Sequence, residues 1–93
     1  MIANVYQTNG ENRFKSYEEL TELHFDEYKL VGSIELKQSR YKNINIALEE
    51  VFQELNMNIP ESYKGRSVSV SDIVEINNEY YYCDSFGWVQ IAV

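Results

Sequence analysis

Residues 60–88 read PESYKGRSVSVSDIVEINNEYYYCDSFGW, and this stretch decides the fold. Asn77-Asn78 separates two β-rich runs. Asparagine tolerates the positive φ that a type I′ turn requires at both central positions, so the pair predicts a two-residue hairpin. That hairpin sets Ile76 opposite Glu79, Val74 opposite Tyr81 and Ile73 opposite Tyr82. Val74, Ile76, Tyr81 and Cys83 then share one sheet face, while Ile73, Tyr80, Tyr82 and Asp84 share the other. Apolar groups on both faces predict a sheet covered on one side and touching something on the other. Gly87 turns the chain once more, and Trp88 to Val93 supplies a last strand.

Just before the hairpin, Ser67, Ser69, Ser71 and Asp72 surround Val68 and Val70. Short polar side chains bond readily to nearby backbone amides, which predicts a self-satisfied turn leading into the strand. The functional alternative is a polar patch beside Tyr63, Lys64 and Arg66 that docks a partner. The Arg66 guanidinium can clamp a carboxylate through two parallel bonds. Asp72 and Asp84 are its internal candidates; an external carboxylate or phosphate is the other reading.

Working toward the N-terminus, Asn43 to Asn56 is the clearest helix. Ile44, Leu48, Val51, Phe52 and Leu55 form one apolar stripe, and Glu49, Glu50, Gln53 and Glu54 face solvent. Asn43 or Asn45 caps its start, Asn56 supplies a left-handed end residue, and Pro60 forbids continuation. Tyr28 to Leu36 reads as a strand with Tyr28, Leu30, Gly32, Ile34 and Leu36 on one face; Gly32 marks a bulge or a close backbone contact. Ser16-Tyr17-Glu18-Glu19 fits a capping box, predicting a short helix to about Leu23 that buries Leu20 and Leu23. Asn9-Gly10 is a turn, and Ile2 to Gln7 is a first strand. The predicted order is β-α-β-α-β-β-β, an α+β domain whose antiparallel C-terminal meander packs on the amphipathic helix.

A chain of 93 residues makes one domain, residues 1–93, with one core. Hydrophobic content of 44% favours folding over disorder. Eight tyrosines dominate the aromatics, and their hydroxyls need partners when buried. Cys83 is the single cysteine, which fits a reducing, cytoplasmic setting. Met1 leads into IANVYQT with no basic start or apolar run, so no signal peptide is expected. No apolar stretch is long enough to span a membrane. The net charge of −7 disfavours direct nucleic-acid binding. The basic clusters Lys37-Arg40-Lys42 and Lys64-Arg66 read first as solvated loop charge.

The segments PESYKGRSVSVSDIVEI and EYYYCDSFGW carry a family resemblance, supported by VYQT, YKLVGSIEL and ALEEVFQELN upstream. The chain resembles the YodL-like domain. The match is strongest over residues 48–88, at Leu48, Glu49, Phe52, Asn56, Pro60, Tyr63, Gly65, Arg66, Ser69, Asp72, Tyr82, Asp84, Gly87 and Trp88. ENRFKSYEELTELHFDEY is longer and more acidic than in the simplest members. The resemblance implies an accessory cytosolic protein of Firmicutes, often borne on conjugative or other mobile elements. It implies no enzyme activity.

The residues themselves offer little for catalysis. His24 is the only histidine, and Cys83 lies in a tyrosine-rich strand without a nucleophile signature. One histidine and one cysteine distant in sequence lack metal-ligand spacing. Glu18-Glu19 and Glu49-Glu50 belong to exposed helix faces, and Gly65-Arg66-Ser67 is too short for a phosphate loop. No cofactor is expected. The leading expectation is a protein-interaction module, with Tyr63, Lys64, Arg66, Asp72, Tyr80, Tyr82, Asp84 and Trp88 as candidate contact residues. The alternatives are an acidic DNA mimic acting against host defence, and a small ligand-binding domain with a pocket beside the helix. The exposed final strand also allows a homodimer.

Overall fold

Asn77 and Asn78 adopt φ of 54° and 66° and turn β3 (Ile73–Ile76) into β4 (Glu79–Cys83). The register pairs Ile76 with Glu79, Val74 with Tyr81 and Ile73 with Tyr82, as the asparagine pair predicts. The computed structural model describes residues 1–93. Its other elements are β1 (Ile2–Thr8), β2 (Tyr28–Glu35), α1 (Ile44–Met57) and β5 (Trp88–Ile91). The five strands form one sheet in the order β2-β1-β3-β4-β5, with every pairing antiparallel.

One helix lies on this sheet. The Asn43 side chain caps α1 by accepting from the Ile46 amide at 3.3 Å. The helix runs through Asn56 to Met57, so Asn56 is not its left-handed end; Asn58 is the capping residue, at φ −132°. Ala47, Leu48, Val51 and Leu55 are buried against Ala3, Val5, Val74, Ile76 and Tyr81. Full burial of each larger aliphatic side chain stabilises the fold by about 1.5–3 kcal/mol. Phe52, expected in the buried stripe, is 38% exposed.

Two expectations are corrected here. Ser16 and Glu19 do form the capping box, but only a single 3-10 turn follows, Tyr17–Glu19. A second such turn spans Phe25–Glu27. The chain turns extended at Leu20, and side chains from elsewhere bond the backbone of this segment. Asp84 accepts from the Tyr17 amide at 3.0 Å. Asn12 donates to the Glu22 carbonyl and accepts from the His24 amide. The order is therefore β-β-α-β-β-β, without the first helix.

The second correction concerns β2. Val5 pairs with Gly32 and Tyr6 with Leu30, so Val31 is an extra residue in a β-bulge. A bulge shifts the alternation by one, which places Tyr28 and Leu30 on the opposite face from Ile34 and Leu36. Tyr28 joins Ile73 and Tyr82 in a separate cluster with Tyr6, Leu20, Leu23, Phe25, Tyr80, Val89 and Ile91. This second sheet face is therefore covered by the chain itself. Phe25 packs on Tyr6, Tyr28 and Tyr80, and Tyr17 meets the Tyr82 ring edge-on.

Candidate functional site

Alternation along β1 puts Ala3, Val5 and Gln7 on the helix side of the sheet. Past the end of the helix, this face is covered by the loop running from Pro60 to Asp72. Gln7 organises it. Its Nε2 lies 3.1 Å from the Tyr63 hydroxyl, 2.9 Å from the Arg66 carbonyl and 2.9 Å from Asp72 Oδ2. Its Oε1 accepts from the Arg66 amide at 3.1 Å. The Tyr63 hydroxyl in turn donates to the Arg66 carbonyl at 2.8 Å. Gly32 admits the Tyr63 ring: a Cβ there would collide with Cδ1 and come within 3.3 Å of the Tyr63 Cα. The mid-strand glycine is thus explained by a close contact, with the bulge beside it.

Ser69, Val70, Ser71 and Asp72 form the predicted self-satisfied turn. The Asp72 amide donates to the Ser69 carbonyl, and the Ser69 amide donates to Asp72 Oδ2 at 2.9 Å. Ser71 sits at φ 84° where glycine is the usual residue. Its amide donates to the Cys83 carbonyl, and the Cys83 amide donates to the Asp72 carbonyl. This is the pattern of a G1 bulge, which ends the β3–β4 ladder. The Ser71 hydroxyl accepts from the Phe14 amide at 2.8 Å, and its carbonyl accepts from the Tyr28 hydroxyl at 2.6 Å. One residue therefore anchors the covering segment to the sheet.

Asp72 is fully buried. Burial raises its carboxyl to about 6, against the lowering influence of the Ser69 amide, Gln7 and Arg66. Arg66 Nη2 stands 3.9 Å from Asp72 Oδ1, too far for a hydrogen bond. Arg66 instead donates to the Thr8 carbonyl at 2.9 Å and Asn9 Oδ1 at 3.3 Å, and lies over the Phe14 ring. The ion pair expected within the fold is formed with Asp72, without the two-bond clamp.

The candidate contact residues do not form one surface. Tyr63, Asp72 and Tyr82 are buried and cannot touch a partner in this fold. Burial raises the Tyr63 and Tyr82 hydroxyls to about 12. Tyr82 donates to the Lys15 carbonyl at 2.6 Å, which ties down the covering segment. Tyr80 is half-buried under Phe25. Asp84 spends Oδ1 on the amides of Tyr17 and Ser85. Lys64 is exposed, Arg66 is partly so, and Trp88 is half-buried. Gln7 was missed by sequence reasoning, although strand alternation from Ala3 and Val5 points it inward.

A different surface is built around the β4–β5 turn. Asp84 and Gly87 close that turn by a backbone bond at 2.9 Å, with Gly87 at φ 79°. Phe86, at its tip, is 97% exposed. Its neighbours Ser85 and Gly87 line a groove of about 220 Å³ with Phe52, Val70, Cys83 and Trp88. Glu49 and Asp84 also line it, giving an apolar slot with acidic edges.

For chemistry, Cys83 is buried and its thiol is raised to about 12 by burial, then by Asp72, Glu49 and Asp84. A thiol in that state is a poor nucleophile. His24 Nε2 lies 3.2 Å from Glu11 Oε2. No group of three or more His, Cys, Asp or Glu is placed to hold a metal ion. No helix is long and apolar enough to cross a membrane.

The protein is a small, compact domain: one helix on a five-stranded antiparallel sheet whose second face is covered by a loop segment. It belongs to the YodL-like domain family, whose model matches residues 3–93. No curated protein and no solved structure matches the chain significantly.

Proposed function

We propose that this protein is a non-catalytic interaction module, an accessory protein of the cytoplasm that acts for a mobile or conjugative element. The genomic part of this reading rests on the resemblance described above. The interaction part rests on one observation: Phe86 is held almost wholly in solvent by a closed turn, at the edge of the Phe52–Val70–Trp88 groove. A large aromatic side chain in water loses the stabilisation that burial would give it. A fixed turn presents it without an ordering cost on binding. Trp and other aromatics in pockets are the usual anchors of protein interfaces.

The partner segment is one that offers an apolar side chain flanked by Lys or Arg. The groove takes the apolar group, and Glu49, Asp84 and the net charge of −7 favour the cations. The test is affinity capture with a partner-derived peptide of this kind, comparing wild type with Phe86→Ala and Trp88→Ala. Unchanged capture by both variants would remove this surface from the account.

A further inference from the structure

The structure gathers three of the eight cationic side chains of an acidic protein around one cleft. Lys29, Lys64 and Arg66 line it, with Glu27 as the only carboxylate among the lining residues. Its volume is about 310 Å³. We infer that this cleft, between β2 and the 64–66 loop, binds a phosphate group, free or carried on a small metabolite.

The juxtaposition is fixed by the backbone. Lys29 pairs with Gln7 in the β1–β2 ladder, on the helix side of the sheet. The Lys64 amide donates to the Val31 carbonyl at 2.8 Å, which docks the loop against the bulge of β2. Gly65 permits that approach, since a Cβ there would meet Val31 at 2.8 Å. The Arg66 amide is held by Gln7. Two residues of one strand and three of one loop are thus locked around a common space.

The free charge is on the lysines. Lys37 is paired with Glu54, whereas neither Lys29 nor Lys64 makes an ion pair. Arg66 spends its terminal nitrogens on Thr8 and Asn9, with Asp72 behind it. The planar fork that suits a carboxylate is therefore occupied, and what remains is two ammonium point charges, which suit a phosphate. Val31 is the only apolar lining residue, so the ligand is polar throughout. The volume lies at the small end of ligand sites. Glu27 places a carboxylate at the same cleft for a hydroxyl beside the phosphate.

The experiment is an amide-resolved NMR titration at low ionic strength with inorganic phosphate, glycerol phosphate and succinate. Chloride at matched ionic strength serves as the control. The expected result is a saturable shift at Lys29, Lys64 and Gly65 with phosphate and none with chloride. The double substitution Lys29→Gln, Lys64→Gln should weaken binding at least about tenfold. Both lysines are exposed and unpaired, so the variant keeps its fold, which its unperturbed remaining amides verify. Tighter binding of glycerol phosphate would assign a phosphorylated metabolite; equal binding would assign free phosphate. Succinate binding tighter than phosphate, chloride reproducing the shifts, no saturable shift, or undiminished binding by the double variant would each overturn the proposal.

Discussion

Gln7 Nε2 lies 2.9 Å from Asp72 Oδ2, a contact made across 65 positions of the chain. It joins the first strand to the turn that starts the C-terminal hairpin, in a place closed to water. Gln7→Ala would leave the Arg66 amide without its acceptor and Asp72 with one fewer donor. The expected loss is about 2–4 kcal/mol, because buried polar groups are left unpaired. Urea unfolding at pH 7 measures it, and a loss under about 0.5 kcal/mol would show that the network is not holding the corner.

Asp72 gives the fold a pH dependence of unusual sign. Its folded value, about 6, lies above its ordinary one, 3.8, so the folded state holds the proton more tightly. This group's contribution therefore favours folding below pH 4. The contribution is lost as pH rises through the interval from about 4 to 6. The full difference is about 3 kcal/mol. Asp72→Asn keeps the shape and removes the titration. The stability of wild type relative to this variant should fall between pH 4 and 6 and be flat above about pH 7. A flat difference throughout would place the Asp72 carboxyl at an ordinary value.

Tyr63 and Gly32 form a lock that one methyl group would break. Gly32→Ala should destabilise by about 2 kcal/mol through overpacking against the Tyr63 ring. In a Tyr63→Ala background the same substitution should cost far less. A double-mutant cycle reads this directly, and additive effects would show that the ring does not require the glycine.

Ser71 carries backbone strain and a hydroxyl bond together, and two substitutions separate them. Ser71→Gly relieves the positive φ but loses the acceptor for the Phe14 amide. Ser71→Ala loses the same bond and keeps the strain. The alanine variant should therefore be the less stable by about 1 kcal/mol. In both variants, hydrogen exchange at the Phe14 amide should quicken relative to wild type.

The hairpin was legible because its signal is local: only Asn77 and Asn78 are needed to fix the register of eight paired residues. The cap of α1 at Asn43 is local in the same way. The segment between β1 and β2 was not legible. Its capping box is local and forms as expected, but the backbone around it is held by Asn12 and by Asp84, the latter from 67 positions away. The faces of β2 were misread because the bulge at Val31 depends on the neighbouring strand. Tyr63, Arg66 and Asp72 stood out in sequence as chemically able residues. The structure spends them on one another and on Gln7, and leaves Phe86, which is not among the candidate contact residues, in the open.

The central claim is that the Phe86 turn and its groove engage a protein partner. The decisive measurement is the Kd of a captured partner for wild type and for Phe86→Ala, with the melting temperature of each. At 97% exposure, truncating Phe86 should leave stability within about 0.5 kcal/mol. The account predicts that affinity nevertheless falls by at least about 30-fold, the loss expected of a central aromatic anchor. Equal affinity for the two proteins, at equal stability, would contradict it.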